Sequence, residues 1–521
     1  MVEPTAVDEI PKIREELQQS FLAGKMRPIS YRREQIAKLA HMVSDHQEEF
    51  TQAMNADLGR SATEADFLDI QPTLREISEA YHSVEKWSKP DRVPFSLNWF
   101  VMSPSIRKDP KGMVLIISPF NFPMLLILGP LAGALAAGCT VVIKPSELSP
   151  AISGLIAKYI PQYLDRDVCR VVMGAVPETT KLLELPWDHI LYTGSGKVAK
   201  VVLSSAAKHL TSVTTELGGK NPVVIDPKSD LKLAARRIMW GKFANCGQTC
   251  AAPDYLLVPQ EIEEVFTKEL LDVHSTFYPE GPRKSDSYPR MATKQHALRM
   301  KKLIEETNGK IIIGGETEVE DRFIAPTIVK NIHPNDILME DEIFGPILPI
   351  VTVKNVDEAI QIINKREHAL TVYVFSQDAT FRNKVFDNTR SGAAIANEMV
   401  IYHATDGLPF GGVGASGSGG ATTGKYNFDI FTHSRATLVG RGFVDTLVLS
   451  GRYPPHTPEK TKALRAAARY SLPPRPRSLF ASGNASGSRW GLWFVLALVA
   501  AAASAAARLT NFRSLLLGAA K

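Results

Sequence analysis

The stretch GMVLIISPFNFPMLLILGPLAGALAAGCTVVIKPSE (112–147) determines the fold class. An apolar run of strand length (112–118) is followed by an apolar run of helix length (123–138) and by a second strand-like run (140–146). Similar runs alternate as far as about residue 400, a pattern that is typical of parallel βαβ units. The sequence therefore predicts an α/β protein with parallel sheets, preceded by helices over residues 1–60.

The length of 521 residues and the composition limit the class of protein. Hydrophobic residues make up 44% of the chain and charged residues 22%, which excludes a wholly disordered, collagen-like or polytopic membrane protein. Four cysteines are too few for a disulfide scaffold and fit a reducing compartment. The net charge of +5 arises in residues 451–521, which hold eleven of the 60 basic residues and one of the 55 acidic ones. The main body therefore gives no reason to expect a nucleic-acid partner.

The C-terminal tail has two parts. Residues 451–489 are rich in Pro, Ser, Gly and Arg, and they predict a largely disordered basic linker with one short helix over EKTKALRAAARY (459–470). Residues 490–507, WGLWFVLALVAAAASAAA, carry no charge. As a helix they would span about 27 Å, close to the thickness of a bilayer core. We expect a single-pass transmembrane anchor there, and a buried or amphipathic Ala-rich helix is the alternative.

The position of this anchor predicts how the protein is inserted. So few residues follow it that insertion would come after synthesis and leave the main body on the cytosolic side. The short span and the basic residues behind it favour the mitochondrial outer or peroxisomal membrane over the endoplasmic reticulum, although the charges alone do not decide between these organelles.

Two residues of the middle region are candidates for catalytic chemistry. Cys250 lies in FANCGQTCAAPDY (243–255), a small-residue segment at the end of a predicted helix, where backbone dipoles can lower the pKa of a thiol. Cys246 lies four residues earlier, but no nearby His or Cys completes a metal site. Glu216 in TTELGGKNP (214–222) precedes two glycines that leave its carboxylate open to substrate or water. The alternatives are a buried inert thiol and a turn carboxylate.

A glycine-rich segment follows one of the predicted strands. YTGSGKVAKVV (192–202) matches the pattern G-x-G-x-x-A of dinucleotide-binding turns. Glu216 follows Gly194 by twenty-two residues, in the place of the acid that binds a ribose. Spacing alone leaves open whether Glu216 binds a ribose or acts in catalysis.

Two other segments follow strands at positions where ligands bind in open α/β sheets. IKPSELSP (143–150) places Lys144 and Glu147 where they could hold ribose hydroxyls, and a solvated loop with a helix cap is the alternative. SPFNFP (118–123) holds Asn121 between aromatic residues and prolines. Its side-chain amide is a candidate donor to an oxyanion, or simply part of a turn.

Together these segments resemble the aldehyde dehydrogenase superfamily over about residues 10–440. The resemblance rests on seven motifs in the family's order: SPFNFP, VVIKPSE, YTGSGKV, TELGGKNP, GQTC, EIFGP and LPFGGVGASG. The compact N-terminus and the ending GKYNFDIFTHSRATLV are similar to the class 3 branch. That branch includes fatty aldehyde dehydrogenases with C-terminal membrane anchors and fungal apocarotenal dehydrogenases of the β-apo-4′-carotenal oxygenase type.

The resemblance implies a role for each candidate residue. Cys250 would attack the aldehyde carbon, and Asn121 with the Cys250 backbone N–H would stabilise the thiohemiacetal oxyanion. Hydride would pass to a nicotinamide, and Glu216 would activate the water that hydrolyses the thioester. Because Glu216 would then be the base, the match of residues 192–202 and Glu216 to the dinucleotide-binding pattern would be largely accidental. The implied cofactor contacts are Lys144 and Glu147 to the adenosine ribose, Gly194 and Ser195 to the pyrophosphate, and Glu342 and Phe344 to the nicotinamide ribose. NAD is the first choice because Glu147 leaves little room for a 2′-phosphate, NADP is the second, and no metal is implied.

The resemblance also implies a domain organisation and a homodimer. The implied parts are a Rossmann-like NAD-binding domain (1–81 and 103–215), an α/β catalytic domain (216–405) and a small β oligomerisation arm (82–102 and 406–440).

The predicted anchor points to a lipophilic aldehyde, either a fatty aldehyde or an apocarotenal. The alternatives are a tethered dehydrogenase of small polar aldehydes or semialdehydes, a non-catalytic membrane scaffold, and a cysteine thioesterase that would need no nicotinamide. The joint presence of Cys250, Glu216 and Asn121 argues against the scaffold.

Overall fold

A computed structural model describes residues 3–96, 99–444, 449–468 and 473–474 of the chain. The chain separates into two compact units after Val439. The first unit contains every sheet found in the described residues, and it also contains all nine predicted site residues.

Helices and strands alternate along the chain as the sequence predicts. The helices are α1 (Ile10–Leu22), α2 (Ile29–Asp45), α3 (Gln47–Leu58), α4 (Ala62–Ala65), α5 (Gln71–Trp87), α6 (Leu125–Ala137), α7 (Pro150–Tyr163), α8 (Val176–Glu184), α9 (Gly196–Ala207), α10 (Leu231–Phe243), α11 (Glu263–Phe277), α12 (Lys294–Glu306), α13 (Val356–Asn364), α14 (Ala379–Asp387), α15 (Lys425–Ile430), α16 (Gly442–Val444) and α17 (Pro458–Ala467). The strands are β1 (Asp91–Arg92), β2 (Ser105–Pro110), β3 (Met113–Ile117), β4 (Thr140–Lys144), β5 (Cys169–Val171), β6 (His189–Gly194), β7 (Ser212–Leu217), β8 (Pro222–Ile225), β9 (Tyr255–Pro259), β10 (Lys310–Ile313), β11 (Thr317–Glu318), β12 (Phe323–Ile324), β13 (Thr327–Lys330), β14 (Ile347–Val353), β15 (Ala369–Phe375), β16 (Ser391–Ala396), β17 (Gly417–Ser418) and β18 (Thr432–Thr437).

The stretch that determines the fold class forms the βαβ unit β3–α6–β4. Strands β3 and β4 pair in parallel, with Val114 opposite Val141, and every residue of both strands is buried. A strand that is covered on both faces has no reason to alternate polar and apolar residues, which explains the continuous apolar runs. Helix α6 is buried from Ile127 to Ala137 and ends at Gly138, whose φ of 93° is a left-handed conformation that favours glycine.

Two large sheets form the body of the first unit. The six-stranded sheet has the order β17-β7-β6-β3-β4-β5, and all its neighbours are parallel except β17 and β7. The seven-stranded sheet has the order β10-β13-β14-β9-β8-β15-β16, and only β10 and β13 pair antiparallel. The predicted α/β class with Rossmann-like parallel sheets is confirmed.

A small antiparallel sheet, β1-β2-β18, joins residues far apart in the chain. Strand β18 pairs with β2 along its whole length, from Thr432 opposite Pro110 to Thr437 opposite Ser105. The sheet therefore brings the end of the first unit back to the segment that follows the N-terminal helices.

The described part of the second unit is short. Helix α17 begins after Thr457, whose side chain accepts a hydrogen bond from the backbone N–H of Lys460 at 3.3 Å. The helix predicted over residues 459–470 is confirmed as far as Ala467, and residues 469 and 470 lie outside the described residues. Within the described residues, no helix is both long and apolar enough to cross a membrane. The predicted anchor at residues 490–507 and most of the predicted linker lie outside the described residues.

Candidate active site

The segment that carries Cys250 leaves helix α10 through an unusual turn. Asn245 and Cys246 adopt left-handed φ angles of 51° and 54°, which end the helical geometry directly after Phe243. Cys246 and Cys250 therefore do not share a helix face, although their spacing of four allows it. Cys246 is buried, with its Sγ 3.5 Å from the Tyr288 hydroxyl, whereas Cys250 is partly exposed to an internal cavity.

Two cavities meet at Cys250. The larger has a volume of about 350 Å³ and contains a mixture of polar side chains, apolar side chains and glycines. The smaller has a volume of about 60 Å³ and is almost wholly apolar. The residues that line both are Leu126, Pro130, Cys250, Phe410 and Thr422. The thiol can therefore be approached from two directions that differ in chemistry.

Glu216 is the second-to-last residue of β7, and it lines the larger cavity together with Cys250. It is buried, and none of the described groups donates a well-formed hydrogen bond to either carboxylate oxygen. Burial therefore raises the pKa of Glu216 well above its ordinary value, and the nearby backbone N–H of Gly412 offsets only part of that rise. A carboxyl group with a raised pKa is a better proton acceptor than an exposed one.

Burial also raises the pKa of the Cys250 thiol, to about 12, and the charges of Glu342 and Glu216 contribute further. The thiol is therefore protonated in this arrangement. Attack by its sulfur on a carbon atom requires loss of the proton during the reaction.

Asn121 follows β3 in the loop that precedes α6, and its side chain is buried. Its Nδ2 donates to the backbone carbonyl of Gln248 at 3.0 Å, two residues before Cys250. A side-chain amide has two hydrogens, so this bond leaves one hydrogen free. Because Asn121 also lines the larger cavity, it can donate to an oxygen atom bound beside Cys250.

The loop between Met339 and Ile347 carries Glu342 and Phe344, which both line the larger cavity. Arg299 holds this loop, since it donates to the carbonyls of Glu342 and Ile343 at 2.6 Å each. Burial and the neighbouring Asp254 raise the pKa of Glu342 to about 8. Gly218 lies against the same carboxylate, because an added Cβ would stand 2.2 Å from Glu342 Oε2.

Known proteins resemble this chain over most of its length. A model of the aldehyde dehydrogenase family matches residues 3–437. The chain belongs to the aldehyde dehydrogenase family. Aldehyde dehydrogenase family 3 member A2 of Rattus norvegicus is 43% identical over 444 residues, 85% of this chain and 91% of the relative. The dimeric NADP-preferring aldehyde dehydrogenase of Canis lupus familiaris is 40% identical over 456 residues, 88% of this chain and 100% of the relative.

A solved structure gives the same result for the fold. The substrate-bound AldH of Staphylococcus aureus superposes with a TM-score of 0.85 at 36% identity, covering 88% of this chain and 99% of that one. The predicted resemblance to class 3 aldehyde dehydrogenases is therefore confirmed. The protein is an NAD(P)-dependent oxidoreductase that acts on an aldehyde.

The residues at the strand ends of this aldehyde dehydrogenase fit a dinucleotide. Gly194 and Ser195 connect β6 to α9 and line the larger cavity, so the N-terminus of a twelve-residue helix faces it. An added Cβ at Gly196 would meet nothing within 4 Å, which leaves the backbone open to a bulky anion. Lys144 and Glu147 lie beyond the residues that line this cavity, at the end of strand β4, which β3 separates from β6. The Nζ of Lys144 and Oε2 of Glu147 are 2.5 Å apart.

The dehydrogenase contains residues near the site that the sequence analysis missed. The guanidinium of Arg60 donates to the backbone carbonyl of Asn121, and the side chains of Asn245 and Gln248 also bond to the loops around the thiol. Asn245 and Gln248 flank Cys250 in the quoted segment, so their position gave a weak signal. Arg60 lies in a polar segment between two helices and carries no local signal.

Proposed function

We propose that this aldehyde dehydrogenase oxidises long-chain lipophilic aldehydes, fatty aldehydes or apocarotenals, to carboxylic acids. The observation that carries the proposal is the apolar cavity beside Cys250. Its walls include Phe122, Leu125, Val400 and Phe410, and the polar residues Glu76 and His403 also line it. Each methylene of an alkyl chain that is buried there stabilises the bound substrate by about 0.8 kcal/mol, which is about fourfold in specificity. A cavity of about 60 Å³ gives this gain only for the few carbons nearest the aldehyde.

The chemistry that we propose uses three residues. The Cys250 thiol gives up its proton to solvent in the larger cavity as its sulfur attacks the carbonyl carbon, and the free amide hydrogen of Asn121 stabilises the oxyanion of the resulting thiohemiacetal. When bound, NAD or NADP supplies the acceptor for the hydride that leaves this carbon. Glu216 then takes a proton from water, the resulting hydroxide adds to the thioester carbon, and the C–S bond breaks to release the acid. The sulfur takes the proton back from Glu216, which restores the thiol. The burial of Glu216 supports this role, because it raises the pKa of the carboxyl and so makes the carboxylate a stronger proton acceptor.

We assign the cofactor contacts on the same basis. Gly194 and Ser195 would hold the pyrophosphate at the start of α9, and Glu342 with Phe344 would position the nicotinamide ribose. Lys144 and Glu147 would hold the adenosine ribose at the end of β4. The placement of the first four on the larger cavity supports the assignment.

We also propose the domain organisation and the homodimer that the family resemblance implies, with residues 82–102 and 406–440 as the arm. The three-stranded sheet supports the arm because it joins these two segments. Its surroundings expose large apolar side chains, which are typical of an interface: Phe95, Trp99, Phe100, Leu438 and Val439.

A membrane location completes the proposal. The apolar residues 490–507 would anchor the enzyme and leave the catalytic unit on the cytosolic side of a mitochondrial, peroxisomal or endoplasmic-reticulum membrane. An enzyme held at a bilayer meets aldehydes that partition into lipid, which agrees with an apolar route to the thiol.

A second candidate is oxidation of small polar aldehydes. A surface hollow lined by Arg75, Glu79 and Asp406 shares Glu76 and His403 with the apolar cavity. Charged groups at that place could bind the polar end of a short substrate. This candidate predicts a preference for small aldehydes that carry a charge.

The decisive measurement is NADH formation by the full-length protein in liposomes, with aldehydes from propanal through hexadecanal to an apocarotenal. We expect kcat/KM to rise with chain length. A flat profile, or a preference for small charged aldehydes, would refute the lipophilic substrate and favour the second candidate. A variant that lacks residues 451–521 is the control, and it should retain turnover of soluble aldehydes and lose turnover of those embedded in lipid.

A further inference from the structure

A fully buried arginine connects the two loops that form the site. Arg60 follows helix α3 and has no solvent exposure. Its Nε donates to Asn245 Oδ1 at 2.9 Å, in the segment that leads to Cys250. Its Nη2 donates to the backbone carbonyl of Asn121 at 2.5 Å. One rigid guanidinium therefore joins the segment of the nucleophile to the segment of the amide donor.

Asn245 completes this connection. Its Nδ2 donates to the carbonyls of Asn121 and Gln248, both at 3.0 Å. The Asn121 side chain donates to the same Gln248 carbonyl at 3.0 Å. The bond from Arg60 to Asn245 Oδ1 fixes the orientation of the Asn245 amide, so that its Nδ2 faces the carbonyls of Asn121 and Gln248. The backbone of Asn121 is thereby held directly, and its side chain is held through the Gln248 carbonyl. The guanidinium itself touches neither cavity.

The position of Arg60 is in turn fixed by a buried carboxylate. Its Nη1 lies 3.2 Å from Asp69 Oδ2, and neither side chain is exposed. Asp69 Oδ1 accepts a hydrogen bond from the backbone N–H of Leu125 at 2.7 Å, at the start of α6. The Phe122 ring covers the guanidinium at 4.8 Å. The contacts of Arg60 with Asn121, Phe122 and Asn245 thus reach the loop between β3 and α6 and the turn before Cys250, and its Nη1 also lies 3.8 Å from Met54 Sδ in α3.

We propose that Arg60 is a positioning residue for oxyanion stabilisation: it sets the distance between the Cys250 thiol and the Asn121 amide. The proposal rests on the role of Asn121 given under Proposed function. Loss of one donor to an oxyanion costs about 10²–10³ in kcat, and a donor that is displaced rather than removed costs part of that. Binding of the cofactor depends on other residues and should not change.

The test is a double-mutant cycle between Arg60→Lys and Asn121→Ala, with kcat, KM for a soluble aldehyde and Kd for NAD measured for each variant. Lysine keeps the charge but loses the planar fork that joins two acceptors. We expect Arg60→Lys to lower kcat about 10- to 30-fold and to change Kd for NAD less than twofold. In the Asn121→Ala background it should lower kcat no further.

A second variant separates positioning from folding. Arg60→Met with Asp69→Asn removes the buried charge pair together, so neither partner is left as an unpaired charge. If the Tm of this double variant lies within a few degrees of that of the wild type and its kcat is as low as that of Arg60→Lys, the positioning role is supported. If kcat recovers with Tm, the role is only structural and the proposal is wrong.

The remaining outcomes distinguish the two proposals. If Asn121→Ala lowers kcat strongly and Arg60→Lys has no effect, or an effect that adds fully to that of Asn121→Ala, the inference about Arg60 is wrong and the role of Asn121 stands. If Asn121→Ala leaves kcat within twofold, the proposed oxyanion donor is refuted, and the inference about Arg60 fails with it.

Discussion

Replacement of Gly129 by alanine tests the apolar route to the thiol. Gly129 lies in helix α6 and lines the smaller cavity. An added Cβ would stand 3.5 Å from Glu76 Cγ and 3.8 Å from Leu125 Cδ1, which are ordinary van der Waals distances, so the backbone need not move. Alanine is also favoured over glycine inside a helix by about 0.5–1 kcal/mol. We therefore expect Gly129→Ala to raise Tm.

The same methyl group should impair long substrates. It occupies space in a cavity of only about 60 Å³. If it excludes two methylenes of a bound chain, the enzyme loses about 1.6 kcal/mol of binding free energy, which is about 15-fold in kcat/KM. Propanal has no chain to place there, so its kcat/KM should change less than twofold. The effects on stability and on long-chain turnover thus have opposite signs.

Steady-state NADH formation with alkanals from three to sixteen carbons, together with thermal unfolding, measures both effects. Gly133→Ala is the matched control, because its Cβ would stand 2.6 Å from Asn427 Cβ and should lower Tm and the turnover of all aldehydes alike. If Gly129→Ala leaves long-chain turnover unchanged, the chain does not follow this cavity. If it lowers kcat/KM equally for all aldehydes, the substitution acts through packing. Either result would refute the apolar route to the thiol.

Three other predictions follow from the site and the core. Cys250→Ser should lower oxidation by at least about 10³-fold while Kd for NAD stays within twofold in a fluorescence titration, and normal turnover would exclude Cys250 as the nucleophile. Glu216→Gln should give one rapid turnover of NADH followed by slow release of acid. In the wild type that release should rise with pH, through a pKa above that of ordinary glutamate, and a pH-independent rate would contradict this. Burial and the neighbouring Lys111 lower the pKa of His189 to about 3 from 6.5. The neutral imidazole therefore contributes its full stabilisation to the folded state above pH 6.5. As the pH falls from 6.5 toward 3, the free energy of unfolding decreases by up to about 1.4 kcal/mol per pH unit. Urea unfolding of His189→Gln should show a shallower loss below pH 6.5, and identical curves would contradict the assignment.

Local patterns were sufficient to predict the fold class. The continuous apolar runs at 113–117 and 140–144 could be strands because each is short and ends near glycine or proline, and both proved to be fully buried parallel strands. The boundaries of α3 could not be read in the same way. One amphipathic pattern runs through residues 32–59, but the structure has two helices there. His46, with a φ of −122°, ends α2 and precedes the first residue of α3.

The candidate site was predictable where its residues lie in motif loops at strand ends. Parallel strands carry such loops to one edge of a sheet, and Gly194 and Glu216, at the ends of neighbouring strands, line the same cavity. Arg60 was not predictable, because it contacts Asn245 across 185 residues of sequence and its burial depends on the packed fold. The spacing of Cys246 and Cys250 was misleading for a similar reason, since two left-handed residues interrupt the helix.

The meeting of two unlike cavities at one thiol has an evolutionary consequence. One cavity includes the glycines Gly194 and Gly218 in its lining, in places where a side chain would collide with a neighbour. The other is shaped by the side chains of residues such as Phe122, Leu125 and Val400. Substitutions in the second group can alter the preferred aldehyde without disturbing the first. Descendants of this chain can therefore diversify in substrate while natural selection keeps their use of the nicotinamide dinucleotide constant.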